Sequence, residues 1–283
     1  MSVIQVGLVD TTGELDPELV QAAAAAINIQ VTRDLTQFWP ITATVRYLPD
    51  RSRIPSGVWP VRLVRHLPPG EGGFHLDKHN QPYAEVIGTP DDPGWTIDAS
   101  HEILEMLVDP YGNRMHSSRG IEVVDGKLRD GTDEFSYLVE ACDPCEANNH
   151  AYTIQGVAVS DFITPHFYDP EATPGTRYSF TGALSGPRQL LPGGYISFVN
   201  QETDEWQQIL WVDPHSPPMV RDLGPATGRS LREWIDGAIA KSDQRQHVRR
   251  AIRELAPAML THLRERHARL EKIARRRAKL YPH

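Results

Sequence analysis

Cysteine is nearly absent: the 283 residues hold two, Cys142 and Cys145, in the run Cys-Asp-Pro-Cys. One close pair cannot build a disulfide framework, so the fold has to rest on a hydrophobic core. In a reducing compartment the pair reads as two free thiols. Half a zinc site, a redox pair and a local disulfide are the other readings, and His150 is the nearest additional ligand. Long apolar runs are missing as well. No stretch approaches the roughly 18 apolar residues of a membrane-spanning helix. Residues 1–16 lack a basic segment leading into an apolar one, so no secretory leader is expected and the expected location is cytoplasmic. Repeats are absent, and the alanines at 22–26 are the one low-complexity run. Positive charge is scarce until the end of the chain. Residues 241–283 hold thirteen Lys/Arg against four Asp/Glu, a net of +9; the whole chain carries −8, which leaves −17 for residues 1–240.

What is present suits a globular protein. Hydrophobic residues make up 40% and charged residues 23%, enough for the core of one large domain or two small ones. Val3 to Val9 is rich in β-branched residues and reads as a strand. Asp16-Pro17 opens a helix that runs to about Phe38 and is ended by Pro40. Further strands are expected at Thr42 to Leu48, Val58 to Leu67, Phe74 to Leu76 and Tyr83 to Gly88, with Pro82 placing the last at a sheet edge. A second helix starts near Thr96, with Ser100 or Asp98 as its cap. The chain from Asp109 to about Thr132 reads as irregular, Glu134 to Ala141 as a short helix or strand, and Ala151 to Phe162 as a strand. Residues 164–194 are proline-rich loop, and Tyr195 to Asn200 pairs with Trp206 to Val212 as a hairpin. Gly228 onward reads as helix, broken at Pro257, with Leu255, Met259, Leu263, Leu270 and Ile273 as an apolar stripe among Arg264, Arg266, Arg269, Lys272 and Arg275 to Arg277.

The second helix carries the chemistry. In Ser100-His101-Glu102-Ile103-Leu104-Glu105, His101 and Glu105 are four residues apart and share one helix face, so both reach a single ion. Glu102 projects beside them, where a carboxylate takes the proton of an attacking water. Ile103, Leu104, Leu107 and Val108 form the face that buries the helix.

This run resembles the His-Glu-x-x-His signature of zincin metallopeptidases, with Glu105 in place of the second histidine. The resemblance covers the layout of residues 1–110 and about five motif positions. It implies an α+β fold: a zincin-like mixed β-sheet with a backing helix and an active-site helix, then a loop-rich lower subdomain and a C-terminal helical extension. It also implies that Gln81 to Gly88 is the edge strand that binds extended substrate by strand addition. The metzincin pattern fails, since its third-ligand position holds Tyr111 and its glycine position Val108. The gluzincin branch fits better and implies Glu140, on a second helix, as third ligand. Asp143 and Glu146 are rivals, and Asp109 and His116 are further options. A site of one histidine and carboxylates implies Zn2+, with Mn2+ or Ca2+ as alternatives.

Among the residues after 150, His166 and Tyr168 are candidates to stabilise an oxyanion, and Asp161 to orient a ligand histidine. Against this, Phe162, Phe167 and Tyr168 also read as core and His166 as an ordinary polar residue. The expected organisation is a metal-binding domain at 1–195, a β-hairpin and linker at 196–227, and a basic helical region at 228–283. The leading expectation is a metal-dependent peptidase with Glu102 as base and a peptide or protein substrate. The alternatives are a catalytically inactive zincin-like structural or assembly protein, such as a phage or particle component, and a nucleic-acid-associated protein led by its basic tail. Homo-oligomers through the C-terminal helices are a further expectation.

Overall fold

The alternating, β-branched segments of the first ninety residues assemble into one mixed sheet. In the computed structural model, which describes residues 3–68, 72–92, 94–226, 231–232 and 234–235, β1 (Ile4–Asp10) leads into α1 (Pro17–Ile29). Asp16 caps α1 by accepting from the Glu18 backbone N–H, and Pro17 fits its first turn. The helix then widens into a π turn at Gln30–Asp34 and tightens over Leu35–Gln37, so the helical stretch ends close to where Pro40 predicts. β2 (Ala43–Tyr47), β3 (Val58–Val64), β4 (Gly73–Lys78) and β5 (Gln81–Ile87) follow, and α2 (Trp95–Val108) closes this part. The strand order is β2-β1-β3-β5-β4. Every pairing is parallel except β4 with β5, a hairpin turned by His79 and Asn80, both at positive φ.

Two details differ from the sequence reading. The edge strand is β4, not β5: β5 is paired on both sides, with β3 and with β4. Pro82 is tolerated because the β3–β5 ladder begins only at Ala84. In addition, neither Ser100 nor Asp98 caps α2. The helix starts at Trp95 with Gly94 at its cap position, Asp98 stands in its first turn, and Ser100 is interior.

The second half is a separate five-stranded antiparallel sheet, in the order β12-β11-β10-β7-β6. The segment expected to be irregular is in fact a long hairpin of β6 (Met115–Val124) and β7 (Lys127–Leu138). Its many Ser, Asp, Glu and Gly residues lie on an exposed ribbon, which hides the period-two signal. The 151–162 stretch is two short strands, β8 (Tyr152–Ile154) and β9 (Val157–Val159), turned at Gln155-Gly156 with both φ values positive. The expected hairpin appears as β10 (Tyr195–Asn200) and β11 (Glu205–Leu210), and β12 (Met219–Gly224) adds to it. These strands extend the sheet of β6 and β7 through the β10–β7 pairing. The basic helical stripe from Leu255 to Ile273 lies outside the described residues.

One apolar cluster joins the halves. It takes Val6, Leu8, Val61 and Leu63 from the first sheet, Ala23 and Ile27 from α1, Ile103 and Leu104 from α2, and Tyr137, Phe162, Phe167 and Phe198 from the second half. Both helices touch β9, so both cover the same face of the first sheet. Among the described residues no helix is long and apolar enough to cross a membrane.

Candidate metal centre

α2 has no solvent face. Every residue from Trp95 to Val108 except Asp98 is buried, including His101, Glu102 and Glu105. Three polar residues on an enclosed helix require partners, because an unpaired buried charge is costly. Ser100 shows how the helix is seated: its Oγ donates to the Ile97 carbonyl and accepts from Ser160 N at 2.7 Å. Thr96 Oγ1 donates to the Ala158 carbonyl at 2.8 Å. These bonds lock α2 against the β9 segment.

Glu105 is the centre of the cluster. Its Oε1 accepts from the backbone N–H groups of Cys142 and Asp143, at 3.1 and 3.3 Å. Its Oε2 lies 3.3 Å from His101 Nε2, 3.6 Å from His75 Nδ1 and 3.1 Å from Arg232 Nη1. His101 Nε2 is also 3.1 Å from Asp143 Oδ1. The Arg232 guanidinium contacts Glu140 Oε2 and stands 3.7 Å from Asp143 Oδ2. The structure thus brings together His101, Glu102, Glu105, Glu140 and Asp143 and adds His75 and Arg232, which the sequence reading did not single out.

The supporting elements differ from expectation in one respect. Glu140 is not on a second helix: β7 ends at Leu138, and residues 139–142 bend into the tight turn Asp143–Cys145. Gly194 fits under that turn, where a β-carbon would meet the Asp143 and Pro144 carbonyls at 2.7 and 2.5 Å.

The electrostatics follow from enclosure. Burial opposes charge on His101, yet Glu105 and Asp143, with Glu102, hold its imidazole well above the ordinary histidine range. Burial likewise opposes the Glu105 charge, but His101 and Arg232 keep its carboxyl well below the usual range. Burial pushes Glu140 well up, against the pull of Arg232 and with the repulsion of Glu105 and Asp143. Asp143 is also raised, by burial and then by Glu105. Several atoms stay without a hydrogen-bond partner: His75 Nδ1, Glu102 Oε2, Glu140 Oε1 and both carboxylate oxygens of Asp143. Unpartnered carboxyl oxygens gathered around an imidazole are a candidate donor set for a divalent cation.

The remaining candidates separate clearly. Tyr168 is buried in the core, stacked on His116; burial and then the negative charge of Glu140 push its hydroxyl well above the ordinary range. His166 is not brought to the cluster: its side chain is 55% exposed and pairs with Asp169 at 2.8 Å. His116 is exposed and bonded to its neighbour's carbonyl. Asp161 does not orient a histidine; its carboxylate accepts from Phe162 N, Thr181 N and Thr181 Oγ1. Asp109 Oδ2 accepts from Arg114 N. Glu146 joins His101 and Asp143 as a third ligand-bearing side chain within 4.8 Å. Cys142 and Cys145 are free and buried, and burial followed by nearby carboxylates raises both thiols well above their ordinary range.

Comparison of the chain with protein-family models, with curated proteins and with solved structures returns no match.

Proposed function

We propose that this protein is a metal-dependent peptidase of zincin type, with His101, Glu105 and Asp143 holding a zinc ion and Glu102 as general base. The observation that carries this reading is a pair of distances. His101 Nε2 lies 3.3 Å from Glu105 Oε2 and 3.1 Å from Asp143 Oδ1. Nitrogen and oxygen ligands about 2.0–2.2 Å from a tetrahedral zinc are about 3.3–3.6 Å from each other. Both pairs are therefore close to the spacing of co-ligands, and the Asp143 oxygens have no other hydrogen-bond partner. Glu140, the third ligand implied by the resemblance, is the less favoured choice because it groups with Glu105 and Asp143 and not with His101.

A bound zinc would act as a Lewis acid on a scissile carbonyl. The chain's own residues supply the rest. Glu102, next to His101 on α2, offers its carboxylate to take a proton. β4 is an edge strand of the first sheet and runs past Glu102, so an extended peptide added to it would lie beside the base. Manganese is the alternative ion, given the oxygen-rich donor set.

The enclosure of the cluster favours a second reading, in which the ion is structural and the protein a scaffold. Side-chain exposure is 10% for His101, 0% for Glu105 and 1% for Asp143, whereas a catalytic ion keeps an open position. Elemental analysis with a peptidase assay separates the two. The peptidase reading expects zinc bound in the intact chain and lost in His101→Ala, with hydrolysis abolished in Glu102→Gln while the ion at His101 remains. Bound zinc without hydrolysis supports the scaffold; no zinc even after its addition overturns both.

A further inference from the structure

A second histidine nitrogen faces Glu105, together with Glu102. In β4, alternation turns Gly73 and His75 toward α2, and both are buried. His75 is 0% exposed, and its Nε2 lies 3.2 Å from the Asp109 carbonyl. A carbonyl only accepts, so Nε2 is the donor to it and Nδ1 is the ring nitrogen left to face the carboxylates. Nδ1 lies 3.4 Å from Glu102 Oε2 and 3.6 Å from Glu105 Oε2.

Neither Nδ1 nor Glu102 Oε2 has a hydrogen-bond partner. The two separations exceed the roughly 2.7–2.9 Å of a charge-assisted hydrogen bond. They match the roughly 3.3–3.6 Å between ligands that share one tetrahedral ion. A histidine that donates its remote N–H to a backbone carbonyl also has the outer-sphere arrangement typical of metal-ligating histidines. His75, Glu102 and Glu105 offer three ligand atoms within 4.8 Å of one another, a group that contains neither His101 nor Asp143.

We propose that His75 Nδ1, Glu102 Oε2 and Glu105 Oε2 form a second divalent-cation site, adjacent to the first and sharing Glu105 with it. Its ligand is a small borderline cation, zinc or manganese, bound by one imidazole and two carboxylates. Glu102 contributes only Oε2. Its Oε1 faces the β4 backbone at Gly73, where a β-carbon would come within 2.7 Å of it, and so stays on the side of the edge strand as the proton acceptor. The proposal rests on the peptidase reading for its neighbouring ion but not for its own three ligands.

The test is ion stoichiometry in the full chain, stripped with chelator and reloaded with zinc or manganese alone. Two ions per chain are expected in the unaltered protein and one in His75→Ala. One ion in both, lost in His101→Ala, overturns the second site and leaves the first standing. One ion that is lost in His75→Ala but kept in His101→Ala supports the second site and sinks the first. No ion in the unaltered protein overturns both. If His75→Ala does not fold, electron paramagnetic resonance of the manganese-loaded, unaltered chain decides. Two ions sharing a carboxylate give a spin-coupled spectrum; the signal of isolated manganese overturns the proposal.

Discussion

Gly73 faces Glu102 across the gap between β4 and α2. A β-carbon at that position would stand 2.7 Å from both Cγ and Oε1 of Glu102, closer than real contacts allow. Glu102 is itself buried, so its carboxylate has little room to retreat. Gly73→Ala is therefore expected to cost about 1–3 kcal/mol as an overpacked core position. It is also expected to lower the rate of peptide hydrolysis, because the displaced group is the proposed base. Thermal melting beside a peptidase assay checks this; unchanged stability and unchanged rate would mean that Glu102 is not confined by β4. The same scale shows how a glutamate would serve where the zincin signature has a histidine. Its Oε1 takes two backbone N–H groups while Oε2 faces the cluster, a division of labour that two carboxylate oxygens permit. The His101–Glu105 pair was legible from its i, i+4 spacing, and Asp143 as an acid near Glu140. His75 was not, because a lone histidine in a strand carries no spacing signal until folding sets it beside α2.

Elements were legible where burial is one-sided and hidden where it is not. β1, β2, β3, β10 and β11 show in the sequence because apolar residues alternate or cluster over them. The β6–β7 hairpin does not, because residues such as Ser117, Arg119, Asp130 and Glu134 face solvent along most of its length. The chain between 164 and 181 is a further case: it reads as loop, yet it is anchored by a buried carboxylate just before it. Asp161 is 0% exposed and ties Phe162 N to the N–H and hydroxyl of Thr181. Burial raises its carboxyl above the ordinary aspartate value, although Thr181, Ser179 and Phe162 oppose this. The sign follows from linkage. A folded value above the unfolded one means that stability is full below the unfolded value of about 3.9 and is lost as pH rises through the folded value. Asp161→Asn removes that titration and keeps a carbonyl oxygen for the two N–H groups. Urea unfolding from pH 4 upward, in chelator, is expected to show less loss of stability with rising pH in Asp161→Asn than in the unaltered chain. Parallel curves would mean that Asp161 titrates alike in both states.

At the scale of the whole molecule, a distant segment of the chain meets the site through Arg232. Arg232 reaches the cluster from far along the chain, 127 residues after Glu105. Its segment is seated by more than the guanidinium. Arg232 N donates to the Gly112 carbonyl, Leu231 N to Asn113 Oδ1, Ile235 packs with Leu138 and Trp206, and Trp234 meets Trp206 edge-on. The sequence places Arg232 in a helix with no sign of where that helix docks, so this part of the site was invisible in it. Once docked, the guanidinium is a permanent cation against Glu105, Glu140 and Asp143 and offsets part of the repulsion among these enclosed acids. Removing one partner of a buried ion pair costs about 3–5 kcal/mol, because the charge left behind has no compensation. Arg232→Gln is expected to lose that much stability in chelator. In saturating zinc the loss should shrink, since a divalent ion supplies positive charge to Glu105 and Asp143. Denaturant unfolding of both proteins, with chelator and with zinc, gives the four values needed. An equal loss in the two conditions would mean that Arg232 acts through packing of its segment and not through the charge it shares with the metal.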